Sequence, residues 1–180
     1  MIDINCDMGE IDELLDDGTY EALMSYVTSI NVACGAHAGD ERMMRTMVKL
    51  AKKKNVKIGA HPSYPDRENF GRFDLDISDE ELTSSISDQI VCLIDIAAEQ
   101  NCSISHVKPH GALYNSAARN EKLATLIGDV IKSIDPSLPI ICLAGSQMVK
   151  TLKSMGMKVL PESFADRTYE PDGSLRKRTY

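Results

Sequence analysis

Two stretches decide the fold: Ile2-Asp3-Ile4-Asn5-Cys6-Asp7 near the amino terminus, and His106-Val107-Lys108-Pro109-His110 in the second half of the chain. Successive side chains of an extended strand point to opposite faces. The first stretch therefore places Ile2, Ile4 and Cys6 on one face and Asp3, Asn5 and Asp7 on the other. The second places His106, Lys108 and His110 together, with Val107 and Pro109 opposite. The strands of an open doubly wound sheet are covered on both faces and should be apolar on both. A parallel strand with one polar face fits the interior of a (β/α) barrel near its catalytic mouth. The expectation is an α/β chain whose parallel strands form a (β/α) barrel.

The rest of the chain keeps the same rhythm. Strands are expected at 1–6, 29–34, 56–60, 104–108, 139–144 and 158–161, separated by amphipathic stretches. From Asp40 to Lys54, Met43, Met44, Met47, Val48 and Ala51 share one helical face. Ser78-Asp-Glu-Glu81 reads as a capping box with Ile77 and Leu82 placed as a staple. Further helices are expected from Asn120 and from Ser146, the latter ending at Gly156 in the C′ position. Such βα repetition predicts a parallel sheet. The longest connection, Ser63 to Ile77, is charged and contains Pro65, Gly71 and two arginines, the character of an active-site loop.

Composition narrows the function. The 180 residues suit one domain, 1–180, and the formal charge of −7 argues against a broad nucleic-acid footprint. Of the two basic runs, Lys52-Lys53-Lys54 suits the solvated end of a helix and Arg176-Lys177-Arg178 an exposed terminus. Asp3 and Asp7 interrupt the first apolar residues, which excludes a signal-peptide reading, and no apolar run nears the ~20 residues of a membrane helix. Five cysteines, odd in number and without CxxC spacing, point to free thiols and a cytoplasmic location.

The chemistry gathers in four clusters, each stepping off an apolar run: Asp3 to Glu10, Asn31 to His37, His61 to Tyr64, and His106 to Gly111. All four histidines lie in or beside them. Asp7 is a candidate carboxylate base, and His61 and His110 are candidate proton shuttles near neutral pH. His106 points towards the barrel floor and reads as structural. Lys108 shares the inward face, so a carboxylate neighbour or an anionic ligand is implied, with phosphate or carboxylate ligand the sharper expectation. Gly35 and Gly39-Asp40 flank His37, and backbone N–H groups there are a weak candidate anion cradle. His37, His61, His110 and the first-strand carboxylates could make a His/Asp set for Zn²⁺ or Mn²⁺. With no HExxH and no tight Cys/His spacing, no resident metal is assigned.

Taken in order, DINCDMGE, NVACGAHAGD, IGAHPSYPDRENFGR, VKPHGALYN and PESFADRTYEPDGSL closely resemble the LamB/YcsF family over essentially the whole chain. That family comprises the A subunits of prokaryotic 5-oxoprolinases. The resemblance implies a barrel of the glycoside hydrolase/deacetylase type and ATP-dependent opening of 5-oxo-L-proline to L-glutamate. ATP, with Mg²⁺, would be the co-substrate, and the B and C subunits the partners. It places Asn5, Asp7, His61, Lys108 and His110 in the family's polar mouth, and matches Arg67, Tyr114, Glu162, Asp166 and Arg167 to later motif positions. Asp7, His61, Lys108 and His110 are the catalytic candidates. Glu10, Asn31 and His37 join Asn5 and the later positions as candidates for substrate or nucleotide binding. Family members continue into a further strand with a Cys-Val-His-Gly-Asp-like motif that is not found here. The expectation is therefore a barrel incomplete at its C-terminal end, with an open edge, lower stability and a tendency to associate. Two other readings stay open: a metal-dependent deacetylase-like hydrolase, and a non-catalytic binding subunit.

Overall fold

The computed structural model describes residues 2–176. Six parallel strands lie side by side in sequence order: β1 (Asn5–Met8), β2 (Ser29–Ala33), β3 (Lys57–His61), β4 (His106–Val107), β5 (Ile140–Leu143) and β6 (Val159–Glu162). The helices are α1 (Asp12–Asp16), α2 (Thr19–Leu23), α3 (Glu41–Lys54), α4 (Asp79–Glu99), α5 (Gly111–Ala117), α6 (Glu121–Ile134) and α7 (Gln147–Ser154).

Period-two alternation sorts the strand residues between two environments. In β2, Ile30 and Val32 join the hydrophobic core, while Ser29 and Asn31 bond to the side chains of Asp3 and Asp7. In β1, Met8 is fully buried in the core with Cys6 packed against it, and Asn5 and Asp7 take the polar face. The core includes the methionine face of α3 (Met43, Met44, Met47), the inner faces of α4 and α6, and Met148 and Leu152 of α7. Neighbouring helices pack in series, α3 on α4, α4 on α6 and α6 on α7. The polar side of the sheet is thus left to the site.

That polar side is concave. In a flat six-stranded sheet β1 and β6 would stand roughly 24 Å apart, at ~4.8 Å per step. Yet Asn5 Nδ2 donates to Glu162 Oε2 at 3.1 Å. The sheet has curled until its outer strands meet through side chains, without backbone pairing between them among the described residues. This is the wall of an incomplete (β/α) barrel.

The helix signals act where the sequence puts them. Asp40, Ser78, Asn120 and Ser146 cap α3, α4, α6 and α7, the capping box of Ser78 and Glu81 is complete, and Gly156 takes a left-handed φ of 74° beyond α7. The lysines that end α3 face solvent, and Lys53 and Lys54 pair with Glu21. Of the terminal basic run, Lys177 and Arg178 lie outside the described residues. The described cysteines are all free thiols. No described helix is long and apolar enough to cross a membrane.

Strand limits shift at two places. The first strand begins at Asn5, because the Ile4 N–H donates to the Thr28 hydroxyl while Ile2 and Ile4 stay exposed. The fourth shrinks to His106–Val107, since Pro109 has no N–H to continue a ladder. Helices α1, α2 and α5, with five, five and seven residues, are too short to show a helical period.

Candidate active site

The strands end in a ring of ionisable groups. Asp7 follows from β1, Asn31 from β2, His61 from β3, Lys108 and His110 come just after β4, and Glu162 ends β6. Glu10 and His37 stand on the loops after β1 and β2, and Tyr114 on α5.

One half of the ring is an amide, carboxylate and ammonium network. Asn31 Nδ2 donates to Asn5 Oδ1 and Asp7 Oδ1, both at 2.7 Å, and its Oδ1 accepts from His106 Nε2 at 2.7 Å. These three bonds fix the orientation of the Asn31 amide. Lys108 Nζ reaches Asn5 Oδ1 at 3.0 Å, Asp7 Oδ1 at 3.3 Å and Glu162 Oε2 at 3.2 Å. The Tyr114 hydroxyl donates to Glu162 Oε1 at 2.8 Å. Lys108 is only 4% exposed, so its charge depends on these partners. Of the two expectations for this lysine, the carboxylate neighbour is the one seen; Asp7 and Glu162 both face it.

The other half is imidazole. His61 Nε2 lies 3.5 Å from Asp7 Oδ2, and its Nδ1 donates to the Lys108 carbonyl at 2.6 Å. His110 Nδ1 stands 3.0 Å from His61 Nε2. The His37 ring stacks on His110, with centroids 3.7 Å apart, and its Nε2 is 3.1 Å from Glu10 Oε1.

The electrostatics separate these groups. Burial works against the Asp7 charge, but His61 and Lys108 outweigh it and hold the carboxyl well below its usual range. Burial likewise opposes charge on His61 and Lys108, and the carboxylates of Asp7, and of Glu162 for Lys108, raise both above their ordinary values. Burial and the charge on His61 push His37 and His110 down to about 3. Burial lifts Glu10 above the usual carboxylate range, and burial with Glu162 lifts Tyr114. Asp7 and Lys108 are thus held charged, and Asp7 favours a proton on His61, beside two imidazoles held neutral.

The long loop closes one side. Phe70 has φ of 58°, a left-handed conformation rare for a bulky residue, and its carbonyl accepts from His110 Nε2 at 2.9 Å. Its ring meets the edges of His37 and His110, and Arg72 lies 5.0 Å above it. Neither Phe70 nor Arg72 was expected at the site. The loop that carries them is expected to serve the site for its charge, its glycine and its two arginines, of which Arg72 is one. Phe164, 5.0 Å from Lys108 Nζ, was likewise not foreseen.

Other candidates lie further out. Arg67 donates to the carbonyls of Gly35 and Gly39, bracing the His37 loop. No anion cradle forms there, because the Asp40 carboxylate itself accepts from the Met43 N–H at 2.7 Å. Arg167 turns away to donate to the Arg176 carbonyl, and the charge of Asp166 helps to raise the Cys6 thiol pKa. His106 faces the floor, between the Ser105 hydroxyl and Asn31.

A curled parallel sheet with its ionisable groups gathered at the carboxyl ends of the strands defines a protein of the (β/α)-barrel class. The chain belongs to the LamB/YcsF family, whose sequence profile matches residues 2–180. It is 44% identical over 178 residues to the A subunit of 5-oxoprolinase from Clostridium beijerinckii, covering 99% of this chain and 70% of that protein. The same identity over 178 residues holds for the A subunit of 5-oxoprolinase from Pyrococcus furiosus, again with 99% and 70% covered. The crystal structure of the lactam utilization protein from Thermus thermophilus superposes with a TM-score of 0.91 at 36% identity, over 98% of this chain and 72% of that one.

Proposed function

We propose that this chain serves as the A component of a cytoplasmic 5-oxoprolinase, acting with B and C subunits in ATP-dependent hydrolysis of 5-oxo-L-proline to L-glutamate. The observation that carries this reading is the trio of Asp7, His61 and Lys108 at one mouth, in a chain so similar to proteins of that name.

A five-membered lactam resists water because its amide is resonance-stabilised and little strained. Transfer of the γ-phosphoryl group of ATP, carried as its Mg²⁺ complex, to the lactam oxygen makes the ring carbon electrophilic. Water adds to that carbon and the carbon–nitrogen bond breaks, with the nitrogen leaving as a protonated amine. The remaining acyl phosphate takes a second water and yields carboxylate and inorganic phosphate. Ionised Asp7 is placed to accept a hydrogen bond from the attacking water, with His61 beside it to share the proton. The Lys108 ammonium faces the negative charge that develops on oxygen. The Asn5 amide, held in place by Asn31, faces the mouth where a planar ring amide would bind.

The test is reconstitution with B and C subunits, measuring glutamate formed from 5-oxoproline and ATP. The assembled enzyme should turn over, and Asp7→Asn and His61→Ala should each lower the rate by ~100-fold or more with the melting transition retained. Absence of turnover by the assembled enzyme, or near-normal turnover by both variants, would overturn the reading.

A further inference from the structure

Glu10, His37, His61 and His110 each offer one ligand atom, and the four atoms lie within 4.8 Å of one another. They come from the loops after β1 and β2, the end of β3 and the residue that caps α5. The outer nitrogens of two rings are already spoken for. His61 Nδ1 meets the Lys108 carbonyl at 2.6 Å, and His110 Nε2 meets the Phe70 carbonyl at 2.9 Å. A carbonyl only accepts, so both outer nitrogens carry hydrogen, and whenever the two rings are neutral their lone pairs lie on the inner nitrogens. Those inner atoms, His61 Nε2 and His110 Nδ1, face each other at 3.0 Å. Two lone pairs at that distance repel unless an electrophile lies between them.

A single proton would satisfy that contact alone. It leaves unexplained why Glu10 Oε1 stands 3.4 Å from His110 Nδ1, 3.9 Å from His61 Nε2 and 3.1 Å from His37 Nε2. Ligand atoms about 2.0–2.1 Å from a tetrahedral zinc ion sit about 3.3–3.4 Å apart, so the Glu10 separations are near that spacing. The stacked His37 and His110 rings would have to tilt for both lone pairs to meet one ion. Imidazoles whose outer N–H is tied to a carbonyl are also how proteins orient metal ligands. His37 is held differently, by its stack on His110 and its edge contact with Phe70; its Nδ1 is buried without a hydrogen-bond partner among the described residues.

We propose that Glu10, His37, His61 and His110 form a binding site for one divalent cation of the zinc class. Three neutral imidazoles and one carboxylate suit Zn²⁺ or Co²⁺ better than a hard cation such as Mg²⁺, which takes oxygen ligands. When the cation is bound, the His61 lone pair is committed to it and Asp7 alone faces the water. The inference stands apart from the choice of substrate, because cation binding is read directly and turnover is not its readout.

The experiment uses the untagged full chain, stripped with chelator, then titrated with Zn²⁺ by calorimetry and with Co²⁺ by visible absorption. One equivalent should bind, and the Co²⁺ form should show the intense bands of a four-coordinate site. Glu10→Gln, which keeps side-chain size and hydrogen bonding, and His110→Ala should each weaken binding by ~100-fold or more. His106→Gln, outside the cluster, should bind as the parent does. Absence of stoichiometric binding, which would leave a shared proton between His61 and His110, overturns the proposal. Unchanged affinity in a folded Glu10→Gln protein does so as well, by moving the cation elsewhere. Metal binding without lactam turnover would sink the functional reading and keep this one.

Discussion

His106 fills the place where a side chain on Gly59 would stand. A Cβ there would collide with the imidazole at Nε2, so the two positions on β3 and β4 are a single packing unit. Burial drives the ring's pKa down to about 4, against the pull of Asp3, and the neutral ring is fully hydrogen-bonded. An unfolded histidine titrates near ~6.5. Between those values the unfolded chain takes up a proton that the folded protein refuses. The contribution of His106 is therefore complete above pH ~6.5 and falls as pH drops towards 4, by about 3 kcal/mol over the whole window. Urea unfolding of parent and His106→Gln at pH 7.5 and pH 5 isolates this from the other histidines. The parent should lose more stability on acidification than the variant. Equal losses would show that this ring does not carry the penalty.

Elements show what can be read from sequence and what cannot. The caps of α3, α4, α6 and α7 are legible because each is made between residues three apart. Ser78 Oγ accepts from the Glu81 N–H at 3.2 Å, and Glu81 Oε2 accepts from the Ser78 N–H at 3.1 Å. Ser78→Ala should destabilise the protein by about 1 kcal/mol in thermal or urea melts. An unchanged midpoint would mean that α4 is held by its buried face alone. The inward set of Asn5, Asp7 and Lys108 is legible for a similar reason, since period two is local. The orientation of Phe70 is not, because its left-handed backbone is imposed by loop packing and what it offers His110 is a main-chain carbonyl. The meeting of Glu162 with Asn5 is equally hidden, because it depends on how far the entire sheet bends. Arg167 matches a motif position, but its placement follows the local bridge between Tyr169 and Leu175 rather than the site.

At the scale of the whole molecule, the curl of the sheet joins stability to the site. Exposed apolar side chains lie on or beside both outer strands, Ile4 ahead of β1 and Leu160 on β6. Strands β2 and β3, by contrast, lie between β1 and β4, and their Ile30, Val32, Ile58 and Ala60 share one core cluster with residues of α3 and α4. The Lys108 ammonium links the two regions, drawing on Asp7 near one edge and Glu162 at the other.

The bond between Asn5 and Glu162 spans 157 positions, whereas each strand's ladder is formed with its nearest neighbour in sequence. Contacts between distant parts of a chain carry the largest loop-closure entropy and are made late in folding. On the ribosome, the pocket therefore has to wait for residue 162, long after β1 to β4 have emerged and paired. The same asymmetry governs opening in the finished protein, since the region made last is also the one that detaches with least disruption. Native-state amide exchange should find the slowest protons in β2 and β3 and markedly faster ones in β6. Uniform protection across all strands would show that the pocket opens only when everything else does.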